Sequence, residues 1–386
     1  MISKKQTNVT NHVELRNAIE RTIEAASLRG ETKLPREMDF VTEYGVSRNM
    51  VRRALAAIAR EGTIIKIKGT GTFISGSRND KKPETRIIGL VVPLATFSAI
   101  ARIIEGVAEI LSAAGYTLAV ENSGNSSRTE LETIERLTSR HVDGIILYPS
   151  TDTRRSAAFK NKFLSLTGRN IPIAVLDREM VFADGSTPDV TVVASDNSDA
   201  VTRALGFLFD RGHRGIAFVN TTELATNSTY RERQNAYIEY MTRVKLPPHV
   251  HENAPFAYDI IIARAYNGGP AYRSIAASIA KDRGITAVLA SDDITAYNLG
   301  QEFLKRGMRI PEDISIMGIG NVDFDFAAFG VTSIDQRLTE TGRTAAREIL
   351  SLAGKSGVQK RILITGAVVE KGSVRKIRFK HPKKTR

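Results

Sequence analysis

The chain has 386 residues, 42% of them hydrophobic and 25% charged, no cysteine, and a formal net charge of +13. This is soluble, globular composition with room for two or three domains, and zero cysteines exclude disulfides, thiolate metal sites and a catalytic thiol. No apolar run reaches the roughly 18 residues of a membrane span, and the N-terminal MISKKQTNVTNHVEL lacks the apolar block of a secretory signal, so a cytoplasmic address without membrane contact is expected.

The charge is uneven. Residues 1–82 carry a net +7 and residues 375–386 another +7, which leaves about −1 for everything between. Basicity gathered in a small N-terminal module is the electrostatic footprint of a phosphate-binding surface.

Within that module, Leu15, Ile19, Ile23 and Ala26 recur at helical spacing before Gly30 and Pro35 interrupt. REMDFVTEY fits a second short helix, ended by Gly45, and Ser47 is placed to cap a third. At 100° per residue that third helix gathers Val51, Ala54, Leu55 and Ile58 on one face and turns Asn49, Arg52, Arg53 and Arg60 away from them. Such a charge run fits either a solvated surface helix or a reader of nucleic acid. After Gly62, TIIKIKGTGTFIS reads as two strands joined by Gly69-Thr70-Gly71, a wing with Lys66 and Lys68 alongside. Its Gly-Thr-Gly lacks the lysine-serine pair and the spacing of a nucleotide loop.

The stretch LPREMDFVTEYGVSRNMVRRALAAIAREGTIIKIKGTGTFIS resembles the winged helix-turn-helix of the GntR family of bacterial repressors, over about residues 11–75. The resemblance implies that Arg36, Arg48 and Arg52 contact phosphates or bases and that the wing, with Lys68 and Gly69, meets the minor groove. The third helix would then present Ser47, Arg48, Asn49 and Arg52 to the major groove, where arginine can read guanine bidentately. Met50 and Arg53 are expected to pack and to touch phosphate.

GSRNDKKPET, residues 76–85, is polar and reads as a linker. From Arg86 the texture changes to short apolar runs alternating with amphipathic helices: IIGLVVP, TLAVENS, GIILYPS, IPIAVLD, GIAFVN, TAVLASDD and ISIMGIG. Runs of this kind predict parallel strands covered on both faces, an α/β region large enough for two lobes with a ligand cleft at the carboxyl ends of the strands. An enzyme-like body behind a GntR head is the alternative. The chain has no His-Glu-x-x-His, Gly-x-Ser-x-Gly, Walker or Gly-x-Gly-x-x-Gly motif, its few body lysines sit in no Schiff-base pattern, and no metal or cofactor is expected. His213, in RGHRG, reads as structural, and Asp292 and Asp293, if at a strand end, would point in opposite directions.

RIIGLVVP, RHVDGIILYPS, VLDRE, DRGHRGIAFVN, RERQNAY, ASDDITAYNLGQEFLKRGMRIPEDISIMGIG and TSIDQRLTETGRTAAREIL resemble, in that order, the effector domain of LacI/GalR repressors. A GntR-type head on such a body resembles the AraR group of sugar-responsive repressors. By position the resemblance implies a ligand site of Asp177, Arg178, Arg233, Ser291, Asp292 and Gln336, with Phe97 or Tyr148 stacking on a sugar face in a chain that has no tryptophan. Read on its own, Asp177 or Asp292 is equally a turn or helix-cap residue. The pattern departs from the family at Gly320, where an aspartate is usual, and Asn321 is the neighbouring acceptor.

The expected whole is a DNA-binding head at 1–75, a linker at 76–85, an effector-binding and dimerisation domain at 86–371 and a basic tail at 372–386. Its partners would be double-stranded operator DNA, a sugar or sugar-derived effector and a second copy of itself. TETGRTAAREIL and the helix from Ser98 are the expected subunit contacts, and the tail reads as a solvated end or as an auxiliary DNA contact.

Overall fold

A computed structural model describes residues 11–29, 31, 33–60, 63–67, 71–74, 85–151, 155–167, 171–221, 227–246, 249–254, 270–322, 329–354 and 360–377. Lys68, Gly69, residues 76–84 of the expected linker and residues 378–386 of the expected tail lie outside them.

The head is built from α1 (His12–Leu28), α2 (Glu37–Tyr44), α3 (Arg48–Arg60) and an antiparallel hairpin of β1 (Ile64–Ile67) and β2 (Gly71–Ile74). The helical spacing of the apolar residues sets its core. Leu15, Ile19 and Ile23 of α1 meet Phe40 of α2 and Val51, Leu55 and Ile58 of α3, all 4% exposed or less, and Ile64 and Ile74 close the cluster from the hairpin. Burial of each such side chain contributes about 1.5–3 kcal/mol. Gly45 takes φ +65° at the end of α2 and bonds Val41 O through its N–H. This left-handed cap, which glycine adopts without Cβ strain, turns the chain from α2 into α3.

The body follows as β3 (Ile87–Val92), α4 (Ser98–Ala113), β4 (Thr117–Asn122), α5 (Ser127–Ser139), β5 (Gly144–Leu147), α6 (Ala157–Thr167), β6 (Ile173–Leu176) and β7 (Thr191–Ser195). Next come α7 (Asn197–Asp210), β8 (Ile216–Thr221), α8 (Ser228–Arg243), β9 (His249–Ala254), α9 (Pro270–Lys281), β10 (Ala287–Ala290) and α10 (Asp293–Lys305). It ends with β11 (Ser315–Ile319), β12 (Thr332–Asp335), α11 (Leu338–Gly354), β13 (Arg361–Ile364) and β14 (Ala367–Val369). These strands form two sheets. The first has the order β4-β3-β5-β6-β7-β13, all parallel, and the second β9-β8-β10-β11-β12-β14, parallel except for β14. Every residue of β5, β6, β10 and β11 is buried, as expected of strands covered on both faces. In the second lobe Tyr272, Ile279, Leu299 and Phe303 of α9 and α10 cover one face, and Leu205, Leu208, Tyr237 and Met241 of α7 and α8 the other.

The chain passes between the lobes three times, after β7, after β12 and between β13 and β14. The crossings pack tightly: a Cβ on Gly366 would lie 2.8 Å from Asp335 O, so a side chain there would force the strands apart. The helix from Ser98 and the TETGRTAAREIL helix, expected at a subunit interface, pack on each other within the chain. Cβ atoms on Gly106 and Gly342 would sit 2.0 Å from Thr339 O and 2.2 Å from Ile103 O, so these glycines let the backbones of α4 and α11 meet.

Residues 372–377, read as the start of a tail, are bonded into the second lobe. Ile316 N donates to Ser373 O at 2.9 Å, Arg375 N to Ser315 Oγ at 3.1 Å and Ile377 N to Arg211 O at 2.7 Å. Fully buried His213 joins this seam through Nδ1 with Thr286 Oγ1 (3.0 Å) and Nε2 with Arg375 O (3.1 Å). Burial pushes its pKa from 6.5 down to about 4. A histidine neutral in the fold and free to protonate when unfolded contributes stability that is fully present above about pH 6.5 and declines as the pH falls toward 4, up to about 3 kcal/mol by linkage. Between about pH 7 and pH 5 the parent should therefore lose more urea-unfolding stability than His213→Gln does, a difference read directly from paired urea melts.

Candidate functional site

On the head, α3 buries Val51, Ala54, Leu55 and Ile58 and exposes Arg48, Asn49, Arg52 and Arg53. Ser47 is exposed just before the helix, and its Oγ accepts from Met50 N at 3.3 Å. Arg36 is exposed at the N-cap of α2, where its N–H donates to Asp39 Oδ2 at 2.7 Å. Glu37, at the start of α2, links cations of α3 and β1. Its Oε2 accepts from Arg48 Nε (3.3 Å) and Arg52 Nε (3.0 Å), and its Oε1 from Lys66 Nζ of β1. The Lys66 bond, aided by the two arginines, holds the Glu37 carboxyl down to about 2. The carboxylate draws the cations of α3 and of the wing strand into one cluster.

In the body, a cavity lies between the lobes at the carboxyl ends of the strands, as the strand order predicts. Asp177 follows β6 in the left-handed conformation, φ +65°, which aspartate tolerates better than most residues. It accepts from Tyr148 Oη at 2.6 Å, and Arg178 Nε lies 3.7 Å from the same carboxylate oxygen. Arg178 is 6% exposed, with its guanidinium 4.8 Å from the centre of the Tyr148 ring.

From the second lobe, Arg233 of α8 is 3% exposed and anchored on two sides, by Asn197 Oδ1 at 2.9 Å and Ser291 O at 2.6 Å. Its nearby acid is Asp292. Asp292 caps α10, accepting from Thr295 N at 2.8 Å, and also lines the cavity; burial raises its pKa while Arg233 opposes the rise. The helix-cap residue is thus also part of the cavity wall. Gln336 lines the cavity at the β12 crossing, and Phe97 and Tyr148 are on its wall. Ser291 stands behind the wall, donating from Oγ to Asp292 Oδ2 at 3.1 Å.

Gly320 has φ +137°, a conformation that residues with a side chain rarely adopt. Asn321 does not line the cavity. The neighbouring carboxylate is that of Asp293, whose Oδ2 would lie 3.5 Å from a Cβ on Gly320. Because Asp292 and Asp293 sit at the cap and first turn of a helix rather than on a strand, both turn inward. Asp293 is pushed up to about 7 by burial, held by Ser333 Oγ at 2.6 Å and Val322 N at 2.7 Å. Thr229 Oγ1, buried at the wall, has no hydrogen-bond partner among the described residues.

Bridges span the lobes beside the cavity. Arg102 of α4 donates to Asp335 Oδ1 at 3.0 Å and to the carbonyls of Gly320 and Asn321 at 3.3 Å. Glu179 N donates to Ser228 Oγ at 3.3 Å, and Arg361 pairs with Glu179 and, at 3.2 Å, with Glu232 of α8. No group of acids or histidines among the described residues could hold a metal ion, and no described helix is long and apolar enough to cross a membrane.

Residues 12–74 match the model of bacterial regulatory proteins of the gntR family, and residues 205–374 match the periplasmic binding protein-like domain. The arabinose metabolism transcriptional repressor of Geobacillus stearothermophilus is 26% identical over 364 residues, 92% of this chain and 94% of that protein. The ribose operon repressor of Bacillus subtilis is 27% identical over 283 residues, 72% of this chain and 77% of its own. Among solved structures, the lac repressor dimer bound to operator and an anti-inducer has a TM-score of 0.61 at 18% identity, covering 76% of this chain and 96% of that one. A LacI family regulator of Enterococcus faecium with bound ribose has a TM-score of 0.59 at 22% identity, covering 76% of this chain and 100% of that one.

Proposed function

We propose that this chain, which belongs to the regulators that join a GntR-type helix-turn-helix head to a periplasmic-binding-protein-like body of the LacI type, is a ligand-responsive transcriptional repressor. A neutral sugar taken up between the lobes releases it from operator DNA. The observation that carries this reading is the cavity wall. Asp177, Asp292, Gln336 and Thr229 offer hydroxyl partners, Arg178 and Arg233 offer donors, and each of the two arginines already has a carboxylate beside it. A phosphate would add negative charge without a matching cation, whereas an uncharged polyol satisfies the same groups at no net charge.

Within this proposal residues 1–75 read DNA, 76–85 link, the body from 86, with residues 372–377 bonded into its second lobe, binds effector and dimerises, and the basic end of the chain adds contacts to the phosphate backbone. Arg36, Ser47, Arg48, Asn49, Arg52, Lys68 and Gly69 face the duplex; Asp177, Arg178, Arg233, Asp292 and Gln336 face the sugar, with Ser291 holding Asp292. The relatives named as repressors of arabinose metabolism and of a ribose operon support a pentose as the first candidate. No step of this function requires catalysis, and the protein acts in the cytoplasm, where its operator lies.

A thermal-shift screen of pentoses, hexoses and their phosphates tests the reading. A ligand at a hundred times its Kd stabilises the folded state by about 2.7 kcal/mol. A free pentose or hexose should raise the melting temperature while its phosphate does not. Stabilisation by phosphorylated compounds alone, or by none of the sugars, removes the neutral-sugar assignment.

A further inference from the structure

We propose that Glu37 is a positioning residue for DNA reading: one carboxylate that orders the two arginines of α3 and the wing lysine, and that lowers the head's attraction for DNA of any sequence. The proposal rests on the reading of α3 as the DNA-facing helix.

An acid on a cationic DNA-binding face opposes phosphate binding, and its placement at the focus of three cations calls for a physical account. Glu37 opens α2, its side chain is 14% exposed, and its partners come from α3 and from β1. Arg48 and Arg52 are one helical turn apart on the same face, and their side chains are 56% and 53% exposed. Both bond Glu37 through Nε, the nitrogen nearest the stem of the guanidinium. The outer pair of nitrogens in each fork lies outside that bond, and it is this pair that makes a bidentate contact with guanine or phosphate. A guanidinium pinned at Nε has lost much of its rotamer freedom before DNA arrives, so less entropy is given up on docking at the correct base. Lys66 on the other carboxylate oxygen ties the wing strand to the same point. The carboxyl is held well below its ordinary range by these bonds, so it stays ionised wherever DNA binding is measured.

Two effects follow. Glu37 contributes a negative charge that weakens generic attraction to the phosphate backbone, and it preserves the geometry that separates one sequence from another. The full-length chain, a duplex selected from a randomised pool with the parent protein, and a scrambled duplex of the same composition test both by fluorescence anisotropy across a salt series. Glu37→Gln should bind the scrambled duplex several-fold more tightly, with a salt slope steeper by up to about 0.9, and its preference for the selected duplex should fall by about tenfold. Glu37→Asp keeps the charge but shortens the reach. It should retain the parent's scrambled-duplex affinity and salt slope and still lose preference.

Arg52→Ala in the same series separates this assignment from the reading beneath it. If Arg52→Ala weakens binding to the selected duplex while both Glu37 variants keep the parent's preference, the positioning role is wrong and the helix assignment stands. If Arg52→Ala and Arg48→Ala both bind like the parent, both fail. A Glu37→Gln protein with a lowered melting temperature and both affinities reduced by one factor would make Glu37 a structural residue only, and would overturn the proposal.

Discussion

Arg233→Ala should still bind operator but no longer release it when effector is added. The guanidinium is set at the cavity wall by Asn197 and Ser291, and its positive charge compensates the buried Asp292. Removing it takes away a charge-assisted donor to the ligand and leaves a buried acid without its cation. Effector affinity should therefore fall by on the order of 2–5 kcal/mol, a range set by truncation of buried, hydrogen-bonded charges. The head uses none of these groups, so operator affinity without effector should stay at the parent value. Calorimetry with the screened sugar checks the first half, and anisotropy on the operator duplex checks the second. Parent-like affinity together with normal release would remove Arg233 from the site, and with it the carry-over of ligand positions by resemblance.

Arg52→Ala should weaken binding to the selected duplex by about 1–3 kcal/mol, as loss of a charge-assisted contact to base or phosphate does. The head should keep its fold, because Arg52 is exposed while the core beneath it is made by Val51, Leu55 and Ile58. Arg48→Ala should behave alike. Titration at two salt concentrations distinguishes the contact types: loss of a base contact relaxes sequence preference, whereas loss of a phosphate contact weakens all duplexes and flattens the salt slope. Parent-like binding by both variants would make α3 a solvated surface helix.

Much of the architecture is legible in the sequence wherever one period dominates. The stripe of Val51, Ala54, Leu55 and Ile58 fixes which face of α3 is outward, and the apolar runs of β3, β5, β6, β10 and β11 mark buried parallel strands. What escapes are elements whose meaning depends on distant partners. The short β13 is placed by pairing with β7 some 170 residues earlier, and β14 by an antiparallel bond to β12. The α4–α11 contact rests on two glycines whose importance appears only when the backbones meet.

The site follows the same logic. Asp177, Arg178, Arg233, Asp292 and Gln336 come together at one cavity, although no local pattern joins them. Local geometry misled for the aspartate pair. Adjacent residues on a strand alternate, but at a helix start both carboxylates turn inward, and Asp293 comes to stand beside Gly320. Arg102 and Glu37 gave no signal, since each gains its role from residues far along the chain or on another element.

Release of operator by ligand can be watched by titrating the stabilising sugar into a preformed complex of the full-length protein with fluorescent operator duplex. Anisotropy should fall to the value of free DNA, with a midpoint that follows the sugar's own affinity and is shifted to higher concentration by excess protein–DNA complex stability, as thermodynamic linkage requires. The sugar's phosphate ester should leave the complex intact. A sugar that binds the protein yet leaves operator affinity unchanged, or tightens it, would rule out release by ligand.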